Sequence, residues 1–546
     1  MMSRTLVVLA LMHPLKILAT TVGAALLVWG VLFAYVSGPA WANTITVNTT
    51  ADEQNTNTQC SLREAIINAN ADNQSGSSDC AAGSGADVIN IGVSGTVNLS
   101  GVLPDLSSNI EIKGPGADQF TVRRNTGGNY RIFSVTGDTT VVTISGMTIS
   151  NGNVDPGTAP GSTEGGGIFN GGTLTVTDST ISSNTATGGT EGSLRGKGGG
   201  IDNHGTLTVT DSTISANTAA GTVGGGEGGG IDNHGTALSG ETTATITNST
   251  ISGNAAATGG GVYNVRGLTV IEFSTITDNI SNSVGGGVFS FEDQFTRTEV
   301  LSTIISANRG LGPRSDVDSL NPNVPPAAGT FASKGYNLIG EGSAKSAFRQ
   351  PGDMTAVTDP GLDPLGSYGG PTQTHRLQAD SPAIDAGPPT DGDTIACPPP
   401  DTDQRGVTRP QDGDADSTPT CDIGSFELEE PTDTTAPKVI STFPANGGEV
   451  GPAANIRATF SEDMRSASVL NAFKLFKKGS TNQIAAQVSY DAATDRATLN
   501  PTNNLRRGAT YKAVVTTVAK DVAGNRLDQN DSIAGLQQKV WFFKID

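Results

Sequence analysis

The sequence has 546 residues, 71 of them glycine, with 5 % aromatic residues, 16 % charged residues and a formal net charge of −20. That length is too great for one ordinary core and calls for two or more domains. The glycine content, lacking a three-residue period, excludes collagen and suits many tight turns, and so acidic a chain repels nucleic acid and anionic headgroups, so neither is an expected partner.

Residues 1–42 read as an export signal. Arg4 and Lys16 supply positive charge, Ile17 to Val36 is largely apolar, and Ala40-Trp41-Ala42 is a small-x-small cleavage site. The apolar stretch is also about long enough to span a bilayer, so an uncleaved N-terminal anchor is the rival reading. Unless that segment is retained, the mature chain makes no membrane contact, because no second apolar span follows. Either way the expected location is extracellular or at the cell surface. Four cysteines fit that compartment. Three pairings are open, and local pairing of Cys60 with Cys80 and Cys397 with Cys421 is the simplest. Zinc would want CxxC spacing or nearby histidines, which are lacking.

"CSLREAIINAN" (60–70) predicts one helix in an otherwise strand-rich chain. Ser61 and Glu64 have capping-box spacing, and Leu62, Ala65, Ile66 and Ala69 form one apolar stripe. A solenoid exposes an apolar end and unpaired strand edges, so the helix reads as a lid over the first coil within a cap at 43–85. "DVINIGVSGTVNL" and "NIEIKGPG" read as the first irregular coils.

Five repeats follow, opening with triple glycines at Gly165, Gly198, Gly228, Gly259 and Gly285, thus 33, 30, 31 and 26 residues apart. Each holds three strand-sized pieces typified by "GGGI-x-N", "TLTVT" and "STISxN". Alternation sends Leu174, Val176 and Ile181 to one side, and the same set is expected at Leu207, Val209 and Ile214 and at Leu268, Val270 and Ile276. Asn184, Asn217, Asn254, Asn279 and Asn308 recur at strand ends, where left-handed turn residues are useful. Stacked coil on coil, such strands form one apolar column. The expected fold is therefore all-β: a right-handed parallel β-helix over 86–345, with a closing region at 346–430. Repeat length varies mainly before the triple glycines, which puts the insertions on one flank. At 431–546, alternating runs such as "NIRATF", "RATLNP" and "TYKAVVTTV" predict a small antiparallel sandwich.

These motifs carry a resemblance. "CSLREAI" resembles the signature of the CSLREA domain, found at the N-terminus of exported bacterial β-helix proteins. "GGPTQTHRLQADSPAIDAG" with "DQRGVTRPQDGDADSTPTCDIGSFE" is similar to the choice-of-anchor Q region that closes such helices, and 434–546 resembles a bacterial Ig-like domain. Where such proteins usually carry a C-terminal sorting tail, this sequence carries the Ig-like segment. The resemblance implies an exported, surface-associated protein; the function expected of it is adhesion or glycan binding, with a surface glycan or protein ligand as partner. It implies no reaction. The alternative is a polysaccharide lyase or glycoside hydrolase on a pectate-lyase-like β-helix, because a fold does not decide function. Against it, Arg195 and Lys197 are too few for the cationic groove of a pectate-lyase-like enzyme.

Two clusters could carry chemistry. "IDNHG" occurs twice, and with Ile201 and Ile231 inward, Asp202, His204, Asp232 and His234 should project outward from adjacent coils. Such a set could bind a divalent metal or another ligand, or place two carboxylates about 5 Å apart as in a retaining glycosidase; the plainer account is a duplicated coil. Stacked aspartates repel, so they should be hydrated, bridged by protonated histidines, or hold a cation. The first two are expected, with both imidazole pKa values raised. Glu164 and Glu227, each before a triple glycine, could line the insertion flank, although a lone exposed Glu is usually solvent-facing. Asp412, Asp414 and Asp416 alternate in "QDGDADSTPTCD" like calcium-loop carboxylates, though Ser417 and Ile423 exclude an EF-hand. A structural calcium ion is thus the one cofactor raised, and none is required.

Overall fold

The computed structural model describes residues 43–546 apart from 158–162, 190–194, 222–224, 237–241, 311–314, 321–329, 390–396, 415–417, 430–433 and 531. The export segment and Asp416 lie outside the described residues. Among the described residues no helix is long and apolar enough to cross a membrane.

The repeats wind into a parallel β-helix walled by two ten-stranded sheets and one seven-stranded sheet. The "TLTVT" pieces, such as Thr173–Thr177 and Thr206–Thr210, pair in register in the first sheet. Thr180–Ser182 and Thr213–Ser215 pair in the second. Ile168–Asn170, Ile201–Asn203 and Ile231–His234 pair in the third. Leu174, Val176, Ile181, Leu207, Val209 and Ile214 are fully buried in one continuous core, each contributing roughly 1.5–3 kcal/mol by leaving water.

Three details differ from the sequence reading. First, coils hold more than three strands: Thr185–Thr187, Thr218–Ala220 and Ala255–Thr258, with Gly196–Lys197 and Gly226–Glu227, build a fourth sheet on the insertion flank. Second, Leu268 and Val270 are not core residues; Thr269 and Ile271 point inward instead. The turn after Asn264 carries one extra residue, with Arg266 left-handed, so Leu268 takes the register of Thr243 and the strand's faces swap. The inward Thr269 hydroxyl accepts from Asn233 Nδ2 at 3.1 Å. Third, the left-handed position falls one residue before each strand-end asparagine, at Ser183, Ala216, Gly253, Asp278 and Ala307. The asparagines turn inward and are fully buried.

The helix forms over Leu62–Ala71 with its capping box: Ser61 Oγ accepts from the Glu64 N–H, and Glu64 Oε2 accepts from the Ser61 N–H. Leu62, Ala65, Ile66 and Ala69 join the core at the first coils, and a Cys60–Cys80 disulfide ties the helix start to the following loop. At the other end Phe331 and Phe348 finish the column.

Thr374, His375, Gln404 and Ser425 lie along the second sheet. Thr250 Oγ1 contacts Thr374 Oγ1 at 2.9 Å, Gln404 Oε1 at 2.6 Å and Ser425 Oγ at 3.0 Å. His375 Nε2 meets Ser252 Oγ at 2.9 Å while Nδ1 donates to the Asp363 carbonyl at 2.8 Å. Arg409 and Glu427, both fully buried side chains, pair at 2.7 Å, and Cys397–Cys421 is the second disulfide. Beyond it, two four-stranded sheets enclose Phe460, Phe473, Trp541 and Phe543 in a core of their own, giving the expected Ig-like sandwich.

Candidate functional site

The residue after the inward isoleucine or valine of each third-sheet strand, or after Phe133 in the first, faces away from the column. In register this row reads Ser134, Phe169, Asp202, Asp232, Tyr263, Phe289, Asp318. Two carboxylates thus sit between aromatic rungs: Phe169 on one side, and on the other Tyr263 stacked on Phe289 with centroids 5.4 Å apart. His204 and His234 follow two residues later, their rings 5.5 Å apart.

A second row lies against this one. Fourth-sheet strands and their bridge place Glu164, Lys197, Glu227 and Thr258 in register. Negative, positive and negative side chains therefore alternate along the flank. Lys197 Nζ pairs with Glu164 Oε1 at 3.0 Å, and Arg195 pairs with Glu227. Arg131 stacks over Phe169, 5.1 Å from its centroid. Under this cover Asp202 and Asp232 are 0 % exposed and Glu227 is buried as well.

The expected cluster therefore assembles, but it is not solvent-facing. The fourth sheet, which recurring strand pieces alone did not reveal, buries both aspartates, so bulk hydration is not what relieves their repulsion. His204 matches the other expectation: its Nε2 lies 2.9 Å from Asp202 Oδ2 and 4.0 Å from Glu164 Oε2. Burial opposes its charge, yet the Asp202 contact and the Asp202 and Glu164 charges outweigh burial and raise its pKa. Its stabilising contribution is complete below the unfolded value and fades as pH climbs through the folded one. His234 goes the other way. Burial, with the positive charges of Lys197, His204 and Arg266, pushes it down to about 3. It is neutral at ordinary pH, and its Nδ1, 3.8 Å from Asp232 Oδ1, has no hydrogen-bond partner among the described residues. Burial pushes Asp232 well above the usual carboxylate range, and the Asp202 and Glu227 charges add to that. Asp202 is raised by burial against the opposing His204 contact.

Arg131, Lys197, Glu227 and Tyr263 are parts of the site that motif reading did not assemble. Aligning the repeats on their inward isoleucine or valine would have lined up Phe169, Asp202, Asp232, Tyr263 and Phe289; the covering row has no such signal, because insertions of different length precede it. In the acidic loop, Asp412 and Asp414 group with Asp385, their ligand atoms within 4.8 Å of one another. Burial pushes Asp385 up to about 6, and its carboxylate accepts from the Asp414 and Thr420 N–H groups.

No curated protein matches the chain. Among solved structures, the surface-layer protein SbsC is 20 % identical over 20 % of this chain and 14 % of its own, with a TM-score of 0.16. PcoC, a methionine-rich copper resistance protein from Escherichia coli, is 20 % identical over 20 % of this chain and 100 % of its own, also at 0.16. The present chain thus spans a small part of the S-layer protein, and neither likeness bears on function. Residues 433–544 match the family model of a bacterial Ig-like domain.

Proposed function

We propose that this is an exported, surface-associated β-helix protein that acts in attachment, through adhesion or glycan binding. The carrying observation is the bacterial Ig-like domain at 433–544; the two disulfides fit an oxidising compartment outside the cytosol. "CSLREAI" and the "GGPTQTH…CDIGSFE" segment support the closer assignment to β-helix proteins of the CSLREA and choice-of-anchor Q type. The ligand surface is the flank where repeat length varies, and the ligand is a surface glycan or protein.

The polysaccharide-degrading alternative is disfavoured by one observation. The carboxylates of a retaining glycosidase must touch the sugar, and Asp202 and Asp232 are 0 % exposed. A glycan array run beside a reducing-end assay on the same panel separates the two readings. Binding without new reducing ends is the expected result. Release of reducing ends would establish the enzyme, and silence in both assays would remove glycan binding.

The acidic loop we assign to a structural calcium ion held by Asp412 and Asp414 together with Asp385, with Asp416 the fourth carboxylate nearby in sequence. Chelator should lower the melting temperature of the wild-type protein, by roughly 2–4 °C for each kcal/mol of binding energy lost. An Asp412→Asn, Asp414→Asn variant should start lower and not respond to chelator. Identical responses in the two proteins would leave the loop merely solvated.

A further inference from the structure

A carboxylate buried away from water needs a hydrogen bond, an ion pair or a cation, or it stays protonated. The two tiers of the stacked "IDNHG" coils meet that requirement unequally. In the Asp202 tier, His204 Nε2 stands 2.9 Å from Asp202 Oδ2, and Lys197 pairs with Glu164. There Glu164 faces the Lys197 cation, and Asp202 faces an imidazole able to donate to it.

The Asp232 tier has no such balance. Asp232 is 0 % exposed, and among the described residues neither of its oxygens has a hydrogen-bond partner. Nδ1 of His234 is equally bare among the described residues and 3.8 Å away. Lys197, the cation shared between tiers, is committed to Glu164 at 3.0 Å. Asp202, one coil away, is taken by His204 at 2.9 Å. The third group is Glu227, held in place by Arg195. One carboxylate oxygen of Glu227, one of Asp232 and a ring nitrogen of His234 all lie within 4.8 Å of one another.

Three converging ligand atoms, two from carboxylates and one from an imidazole, suit a divalent transition metal. Calcium and magnesium prefer all-oxygen shells, whereas imidazole with carboxylate suits zinc or manganese. We propose that Glu227, Asp232 and His234 form a binding site for a divalent cation of the zinc or manganese class, under the fourth sheet and beside the Tyr263–Phe289 stack. The Asp202–His204 and Glu164–Lys197 pairs one coil away are positioning groups: they fix the stacked register and keep the neighbouring tier neutral, so that the ion binds in one tier only. This site does not depend on the attachment reading, since it is tested with metal alone.

The experiment uses the full mature chain, stripped with chelator and dialysed. Zinc is titrated calorimetrically in excess calcium, and bound metal is counted by mass spectrometry. About one equivalent of zinc should bind, with manganese competing and calcium not. His234→Gln and Asp232→Asn should each weaken binding at least tenfold, and His375→Gln by less than threefold. Should the Asp232 variant not fold, the imidazole resonances of the wild-type protein decide. Beyond residue 42 there are only His204, His234 and His375, and zinc should shift His234 most and leave His375 unmoved. No uptake of zinc or manganese overturns the proposal. So does binding that survives both His234→Gln and Asp232→Asn, or a response led by His204.

Discussion

Gly229→Ala should destabilise the β-helix by roughly 3 kcal/mol or more, the upper range for forcing atoms into a packed interior. A Cβ on Gly229 would sit 2.4 Å from the Gly260 carbonyl oxygen, 2.6 Å from that of Ala255 and 2.7 Å from the Ala255 carbonyl carbon. All three are backbone atoms, so no side chain can swing aside. The Gly260 carbonyl is also fixed by the stack itself, accepting from Gly230 at 3.1 Å, while Gly229 donates to the Gly259 carbonyl at 3.0 Å. Relief would therefore require parting two coils. The neighbouring Gly228 is constrained differently: its φ of +62° is the left-handed region, where a Cβ is strained whatever the space. Each position of the triple glycine thus has its own steric reason, which is why the motif recurs intact while the residues around it drift. Gly101→Ala is the matched control, since an added Cβ there has nothing within 4 Å, and it should stay within about 0.5 kcal/mol of wild type. Far-UV circular dichroism follows the β-helix through denaturant, while fluorescence of Trp541, in the Ig-like core, reports the other domain. A Gly229→Ala protein whose β-helix midpoint matches that of Gly101→Ala would mean the coils part at little cost.

How far the sequence could be read depends on the distance over which each feature is determined. The helix at Leu62–Ala71 was legible to its capping box, because Ser61, Glu64 and the apolar stripe act within a few residues. The inward set Leu174, Val176 and Ile181 was legible too, since alternation is local and the repeat supplies the register. Leu268 and Val270 were not, because one extra turn residue before them exchanges the faces of the strand. The cluster at Asp202, His204, Asp232 and His234 could be located from the doubled "IDNHG", yet its chemistry could not. Whether a carboxylate there is hydrated or buried depends on Lys197 and Glu227, which reach it from strands that follow irregular insertions. The recurrence of the strand-end asparagines is visible in the sequence but their role is not: local turn logic makes them left-handed, whereas their partners lie one coil away.

Those partners make Asn254→Ala the second severe substitution, expected to cost about 4 kcal/mol. Asn184, Asn217, Asn254, Asn279 and Asn308 form a ladder inside the column, with each Nδ2 donating to the Oδ1 of the next coil at 2.9–3.0 Å. Each backbone N–H donates to the same oxygen. Nδ2 also serves a carbonyl on the preceding coil, which for Asn254 is that of Ile214 at 2.9 Å. Truncating Asn254 strands the N–H and one of the two Nδ2 hydrogens of Asn217 and takes a donor from the Ile214 carbonyl, all at 0 % exposed residues. Each orphaned buried group costs about 1–3 kcal/mol. The ladder has a direction, so position within it matters. At its start Asn184 Oδ1 accepts from the Gly152 N–H, where no side-chain amide precedes it. At its end Asn308 donates through N–H and Nδ2 to Asp316 Oδ1 at 2.8 and 3.0 Å, and a carboxylate suits that place because a terminal rung needs only to accept. Asn184→Ala strands one donor fewer, leaving the Gly152 N–H and the Ile149 carbonyl unserved, and should therefore cost about two-thirds as much as Asn254→Ala. Chemical denaturation of both variants and wild type, monitored by far-UV circular dichroism, measures the gradient. Equal losses at the two positions, or a loss below about 1 kcal/mol at Asn254, would mean that water enters the column and replaces the missing amide.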